Sequence, residues 1–342
     1  AAIDLLAGLS TAQIPALSAA NVAILTANQL NALSTTQINS LSATQAKALS
    51  GTQITALTTE NLVALSSSAI ANLSTSALST ISTTQLQYLT TAQMQGLTTT
   101  AVRALSTDQI VALTTAQASS LTTAQISSFT TQQVNKLTTT NTTALTTSQI
   151  KALGSAQIAA MTTDQINNLT SAQVQSLSTA GISSITTANI ALLTTTTISN
   201  LSTAQIQALS SSQFANLTTG DIAALTSTQY AALTTKQIMG LDVTRVLALF
   251  GGASVSTKIS SLPPNALTKL TATNTATLTS AQLGALTTAQ IPGLSTNVLG
   301  SFTTTSTGQI KGFTTAQVAA LTQAQAKALS AAQLGALTTT QT

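Results

Sequence analysis

Leu33-Ser34-Thr35-Thr36-Gln37-Ile38-Asn39-Ser40 is an eight-residue phrase that the chain repeats, with substitutions, along almost its whole length. Read as chemistry, it is a helix start. Ser34 has the side chain of an N-cap, an oxygen that accepts from a first-turn amide with no partner inside the helix. Gln37, three residues on, is long enough to reach back to the Ser34 amide and close a capping box. Leu33 before the cap and Ile38 at the fourth helical position are spaced as a hydrophobic staple. The helix opened in this way has room for five or six residues before Leu41-Ser42 begins the next.

Stepping by eight from Leu9 to Leu249 visits thirty-one positions, all Leu except Ile81, Phe129, Met161 and Ile185. The second column is Ser or Thr and the fifth is usually Gln. The sixth is branched and apolar, as at Ile14, Val22, Leu30, Ile54 and Leu62, with weak members at Ala46, Ala118 and Thr142. Acidic residues fall in the fourth or fifth column (Glu60, Asp108, Asp164, Asp221), in the first turn, where the helix dipole favours them. The variable seventh column (Asn39, Lys47, Gln87, Arg103) suits a solvent face, and the small eighth column (Ala32, Ala48, Gly96) suits close backbone approach.

These rules agree on an all-α solenoid or superhelix of very short helices, one per octad. Leu33, Ile38, Leu41, Leu49, Ile54 and Leu57 are its expected core, and Ser34 and Gln37 its expected caps. Helices this short are marginal alone, so stability must come from contact between neighbours. A β-solenoid is the alternative, since short Thr-rich repeats also suit stacked strands. Against it, the octad lacks strict alternation, and its Ala, Gln and Leu favour helices.

Regular octads occupy residues 1–249, interrupted ones 250–312, and regular ones resume over 313–342. From Leu249 the next repeat Leu is Leu262, with Phe250-Gly251-Gly252 in between and Pro263-Pro264 directly after it. Gly frees the backbone, and Pro-Pro forbids a helix interior. A second slip separates Phe302 from Phe313. Insertions in solenoids emerge as loops, and Phe250, Gly251, Gly252, Pro263 and Pro264 are candidates for a contact or junction. Neither end carries a polar capping unit. The expectation is that repeats continue beyond this segment or that its ends meet other copies.

Composition narrows function. Charged residues are 5%, aromatics 2%, and His, Cys and Trp are absent, while apolar residues reach 43%. A core is available, but zinc and thiol chemistry are not. The six acids are too sparse for a calcium loop or a carboxylate pair, so no enzyme, metal site or cofactor is expected. The ten basic residues are scattered, unlike the clustered patch of a nucleic-acid binder. No apolar run is long enough for a membrane span. Sequons such as Asn72-Leu73-Ser74 arise whenever Asn precedes Leu-Ser/Thr, and carry little weight as glycosylation signals.

The strings Leu121–Ile126 and Leu201–Ile206, Leu-Thr/Ser-Thr-Ala-Gln-Ile, resemble the Thr/Ala/Gln-rich octapeptide-repeat regions of large bacterial surface or secreted proteins. The octad is also similar to the first short helix of TAL-effector repeats, although their longer unit and base-reading loop have no counterpart. The first resemblance implies an extracellular or cell-surface structural protein, a stalk, surface layer or filament that forms a homo-oligomer or polymer. The alternative is an adhesin whose Thr, Gln and Asn rows bind glycans, ice or mineral.

Overall fold

The computed structural model describes residues 6–250, 259–260, 262–305 and 308–337. Among these residues there is no strand, and the chain runs through thirty-five short α-helices and four 3-10 helices. The fold is an all-α solenoid, and the β-solenoid alternative is thereby set aside. The physical reason is the cap. A backbone whose first-turn amides are satisfied every eighth residue is committed to helix before strand pairing can compete.

Helix Thr35–Asn39 shows the local logic. Ser34 is extended at φ −67° and ψ 159°, and its side chain accepts from the Gln37 amide. Termination needs no glycine. In helix Gly51–Ala56, Leu57 returns to extended geometry at φ −62° and ψ 138° while its amide still bonds the Ile54 carbonyl. The column Leu thus ends one helix and stands immediately before the cap of the next. Where Pro falls late in an octad, at Pro15 and Pro292, the segment becomes 3-10, over Ile14–Ala16 and Ile291–Gly293. Proline has no amide to donate to the i−4 carbonyl of an α-helix.

The chain divides into two compact units, Ala1–Gly181 and Ile182–Thr342. Within the first, helix Ala43–Ala48 packs on Ser67–Asn72, and Gly51–Ala56 on Thr75–Thr80. Within the second, Ser211–Ala215 packs on Thr235–Met239, and Thr219–Ala224 on Val243–Leu249. Each helix therefore packs mainly on the one three octads along. The first and sixth columns fill the interior in both units, where Ile38, Ile54, Ile150, Ile206 and Phe214 are fully buried. The eighth column abuts the third column of the preceding turn. A methyl group added at Gly96 would stand 3.1 Å from the Ser67 carbonyl oxygen, and one at Gly240 would stand 3.2 Å from Ser211 Cβ.

Candidate functional site: the glutamine clasp

Leu33, Ile38, Leu41, Leu49, Ile54 and Leu57 are all buried. Ser34 and Gln37 form a reciprocal box: the Ser34 amide donates to Gln37 Oε1 at 2.7 Å, and the Gln37 amide donates to Ser34 Oγ at 3.3 Å. The same box recurs through both units, for example at Thr122 and Gln125 and at Ser210 and Gln213.

The glutamine does more than cap. Its exposure falls to 1–2% at Gln125, Gln165 and Gln237, and burying an amide without partners is costly. With Oε1 held by the cap, Nε2 crosses to the preceding turn. Gln125 Nε2 donates to the Met94 and Leu97 carbonyls at 2.8 and 2.7 Å. Gln165 donates to Val134 and Leu137 at 2.8 and 2.6 Å, and Gln237 to Ile206 and Leu209 at 2.6 and 2.9 Å. The acceptors lie 31 and 28 residues back, at the end of the helix four octads earlier: the sixth-column carbonyl, which also accepts the column-Leu amide, and the carbonyl of the column Leu itself, past the helix end. One side chain thus satisfies a helix start in its own turn and a helix end in the turn before. Packing three octads away and bonding four octads away place between three and four octads in each turn.

The sequence alone assigned Gln37 only to capping. A usable signal was present: glutamate also closes a capping box, yet the fifth column contains no Glu. A carboxylate can accept from the cap, but it cannot donate to the preceding turn.

The departures from Gln test this logic. Asn141 Nδ2 reaches the Leu113 carbonyl at 2.7 Å. At Arg245 the jobs are redistributed. Its Nε donates to the Leu217 carbonyl at 2.7 Å, while Asp242, the N-cap, accepts from the Arg245 amide at 2.8 Å and pairs with its guanidinium. The amide of Arg245 and then its guanidinium hold the Asp242 carboxyl below the usual carboxylate range. At buried Asp221 the inter-turn bond reverses direction: Thr195 Oγ1 donates to the carboxylate at 2.8 Å, and Thr218 donates its amide and hydroxyl at 3.0 and 2.6 Å.

Of the candidate junction residues, Phe250 is buried and its carbonyl accepts from Gln282 Nε2 at 2.7 Å. Gly251 and Gly252 lie outside the described residues. Pro263 precedes, and exposed Pro264 opens, the 3-10 helix Pro264–Lys269. Among the described residues no three His, Cys, Asp or Glu side chains converge, and no helix is long and apolar enough to cross a membrane.

The features above define a class: an octad-repeat helical solenoid whose turns are fastened by buried glutamine. The ALTTAQ repeat family model matches five stretches of the chain, residues 4–35, 28–59, 89–123, 143–171 and 182–219. These matches support a repeat-based structural role. No curated protein matches the chain.

Proposed function

We propose that the chain is a non-catalytic structural protein of the cell surface or extracellular space, a stalk, surface layer or filament subunit that associates with copies of itself. The observation that carries this reading is the dual use of the fifth column. Every clasped turn offers the next the same carbonyls that it takes from the turn before, so length can grow by repetition with no new chemistry. The second-column hydroxyls and fifth-column glutamines are occupied as caps and clasps. The resemblance to bacterial surface and secreted repeat regions supports the location. Electron microscopy of the purified protein tests the reading, with rods or fibres expected. Compact, monodisperse particles that do not self-associate at any concentration would overturn the filament form.

One observation favours a second reading, an adhesive surface for glycan, ice or mineral. The cap uses the second-column hydroxyl, whereas third- and fourth-column threonines such as Thr99 and Thr100 remain exposed. Glycan-array binding or inhibition of ice growth is expected on this reading, and the absence of both would dismiss it.

A further inference from the structure

We propose that the first unit contains a parting seam, a full turn of the coil at which the turns built from residues 30–57 and 58–88 separate reversibly while the turns beyond stay closed. The basis is the state of the clasp in four consecutive octads. At Asn61 the shorter amide reaches the Leu30 and Leu33 carbonyls only at 3.5 and 3.4 Å. The next two octads place Ala69 and Ala77 in the column, and a methyl group has no donor for the carbonyls of Ile38 and Leu41 or of Ala46 and Leu49. At Gln85 the amide stands 3.4 Å from both the Ile54 and Leu57 carbonyls, and its shortest inter-turn bond, to the Thr55 carbonyl, is 3.2 Å.

With between three and four octads in each turn, four consecutive weak octads run around the whole circumference. A single weak octad would be bridged by its neighbours, but a full turn of them has no flanking clasp at the same level. The seam between residues 86–113 and 114–144 provides the contrast. There Gln117, Gln125 and Gln133 donate at 2.7–3.0 Å to both carbonyls, and Asn141 donates to Leu113 at 2.7 Å.

The capping half of the device lapses with the inter-turn half. Helices Ser67–Asn72 and Thr75–Thr80 keep the hydroxyl cap from Ser66 and Ser74 but have no capping box. Beside the Asn61 and Gln85 amides, the weak seam is spanned by Asn31 Oδ1, which accepts from the Thr58 amide at 3.0 Å, and by Thr80 Oγ1, which donates to the Gly51 carbonyl at 3.3 Å. Ala69 and Ala77 are fully buried, so the seam closes by apolar packing. Packing of that kind is non-directional and does not replace the missing amide bonds. Local opening follows weakly supported contacts, and this seam is a consecutive run of them. The inference concerns the coil itself and does not depend on where the protein resides.

Hydrogen exchange of the intact chain, read by mass spectrometry, tests it. Peptides from residues 30–88 should exchange about tenfold or more faster than those from 86–144, the consequence of several absent hydrogen bonds. Equal protection would overturn the proposal. In an Asn61→Gln, Ala69→Gln, Ala77→Gln variant, protection of 30–88 should rise toward that of its neighbour, and a folded variant with unchanged exchange would also overturn it. Ala69 and Ala77 are fully buried, so the converse variant, which needs no added volume, is decisive as well. Gln117→Ala, Gln125→Ala and Gln133→Ala should open 86–144 to the rates of the natural seam, and undiminished protection there would refute the clasp as the determinant.

Discussion

The uninterrupted octads around Gln109–Gln173 and the interrupted stretch from Ile259 to Leu337 use the same fastener at different sequence distances. In the first region the glutamine amide reaches back 31 and 28 residues, as from Gln109 to Leu78 and Ile81. In the second, Gln325 bonds Ile291 and Leu294, and Gln333 bonds Leu299 and Phe302, 34 and 31 residues back. The columns in contact are unchanged. Three added residues between Phe302 and Phe313 are absorbed inside one cap. Thr303 and Gln309 form its reciprocal bonds six residues apart instead of three, at 3.3 and 3.1 Å. Gln309 still donates to the Leu278 carbonyl, at 2.8 Å. What repeats is a spatial register of core, cap and clasp, and the count of eight is its cheapest spelling.

If register in space is the invariant, the same substitution should cost the same in both regions. Truncating the sixth column, as Ile150→Ala in the first region or Leu283→Ala in the second, should destabilise each by about 2–5 kcal/mol, the transfer and cavity cost of a buried aliphatic side chain. Urea unfolding monitored by circular dichroism measures this, and a loss confined to one region would break the equivalence. Next in size is the clasp. Gln125→Glu and Gln325→Glu retain an acceptor for the cap but aim a carboxylate at two carbonyls, at a cost of about 2–4 kcal/mol. Each should be worse than the matching Gln→Ala in the same denaturation assay. If glutamate were tolerated as well as glutamine, the inter-turn bond would have no energetic weight.

A smaller effect comes from Tyr230, a sixth-column residue whose hydroxyl donates to the Ile222 carbonyl at 2.9 Å. Burial pushes its ionisation upward. A raised folded-state value means that its contribution is complete below the unfolded value of about 10 and is lost as pH rises beyond it. Tyr230→Phe should cost about 0.5–1.5 kcal/mol at neutral pH. It should also flatten the alkaline fall in Tm between pH 9 and 11, read by thermal melts. The smallest effect is the most diagnostic of the comparison. Deleting Thr304, Thr305 and Ser306 restores the eight-residue spacing, and should change stability by less than about 1 kcal/mol, since loop length enters only logarithmically. Deleting Thr131, Gln132 and Gln133 from the uninterrupted region removes a clasp and shifts the register, and its denaturation midpoint should fall well below that of the first deletion.

Much of the molecule was legible from the octad alone. The cap at Ser34, the return of Gln37 to the Ser34 amide, the helix length, and the inward Leu33 and Ile38 are all settled within eight consecutive residues. Each depends on contacts three or four positions apart, which sequence spacing specifies directly. The absence of Glu from the fifth column was also visible, but its meaning was not, because the missing partner lies 28–31 residues away.

Only the tertiary structure decided which turn meets which. The choice of packing partner three octads on and bonding partner four octads on follows from how far the backbone rotates at each extended Leu-Ser/Thr link, summed around a turn, and no single octad encodes that sum. The same summation let one cap absorb a three-residue insertion, and gathered Asn61, Ala69, Ala77 and Gln85 into one weak circumference. Local hydrogen bonding is written in the repeat. The alignment of repeats is a property of the closed coil.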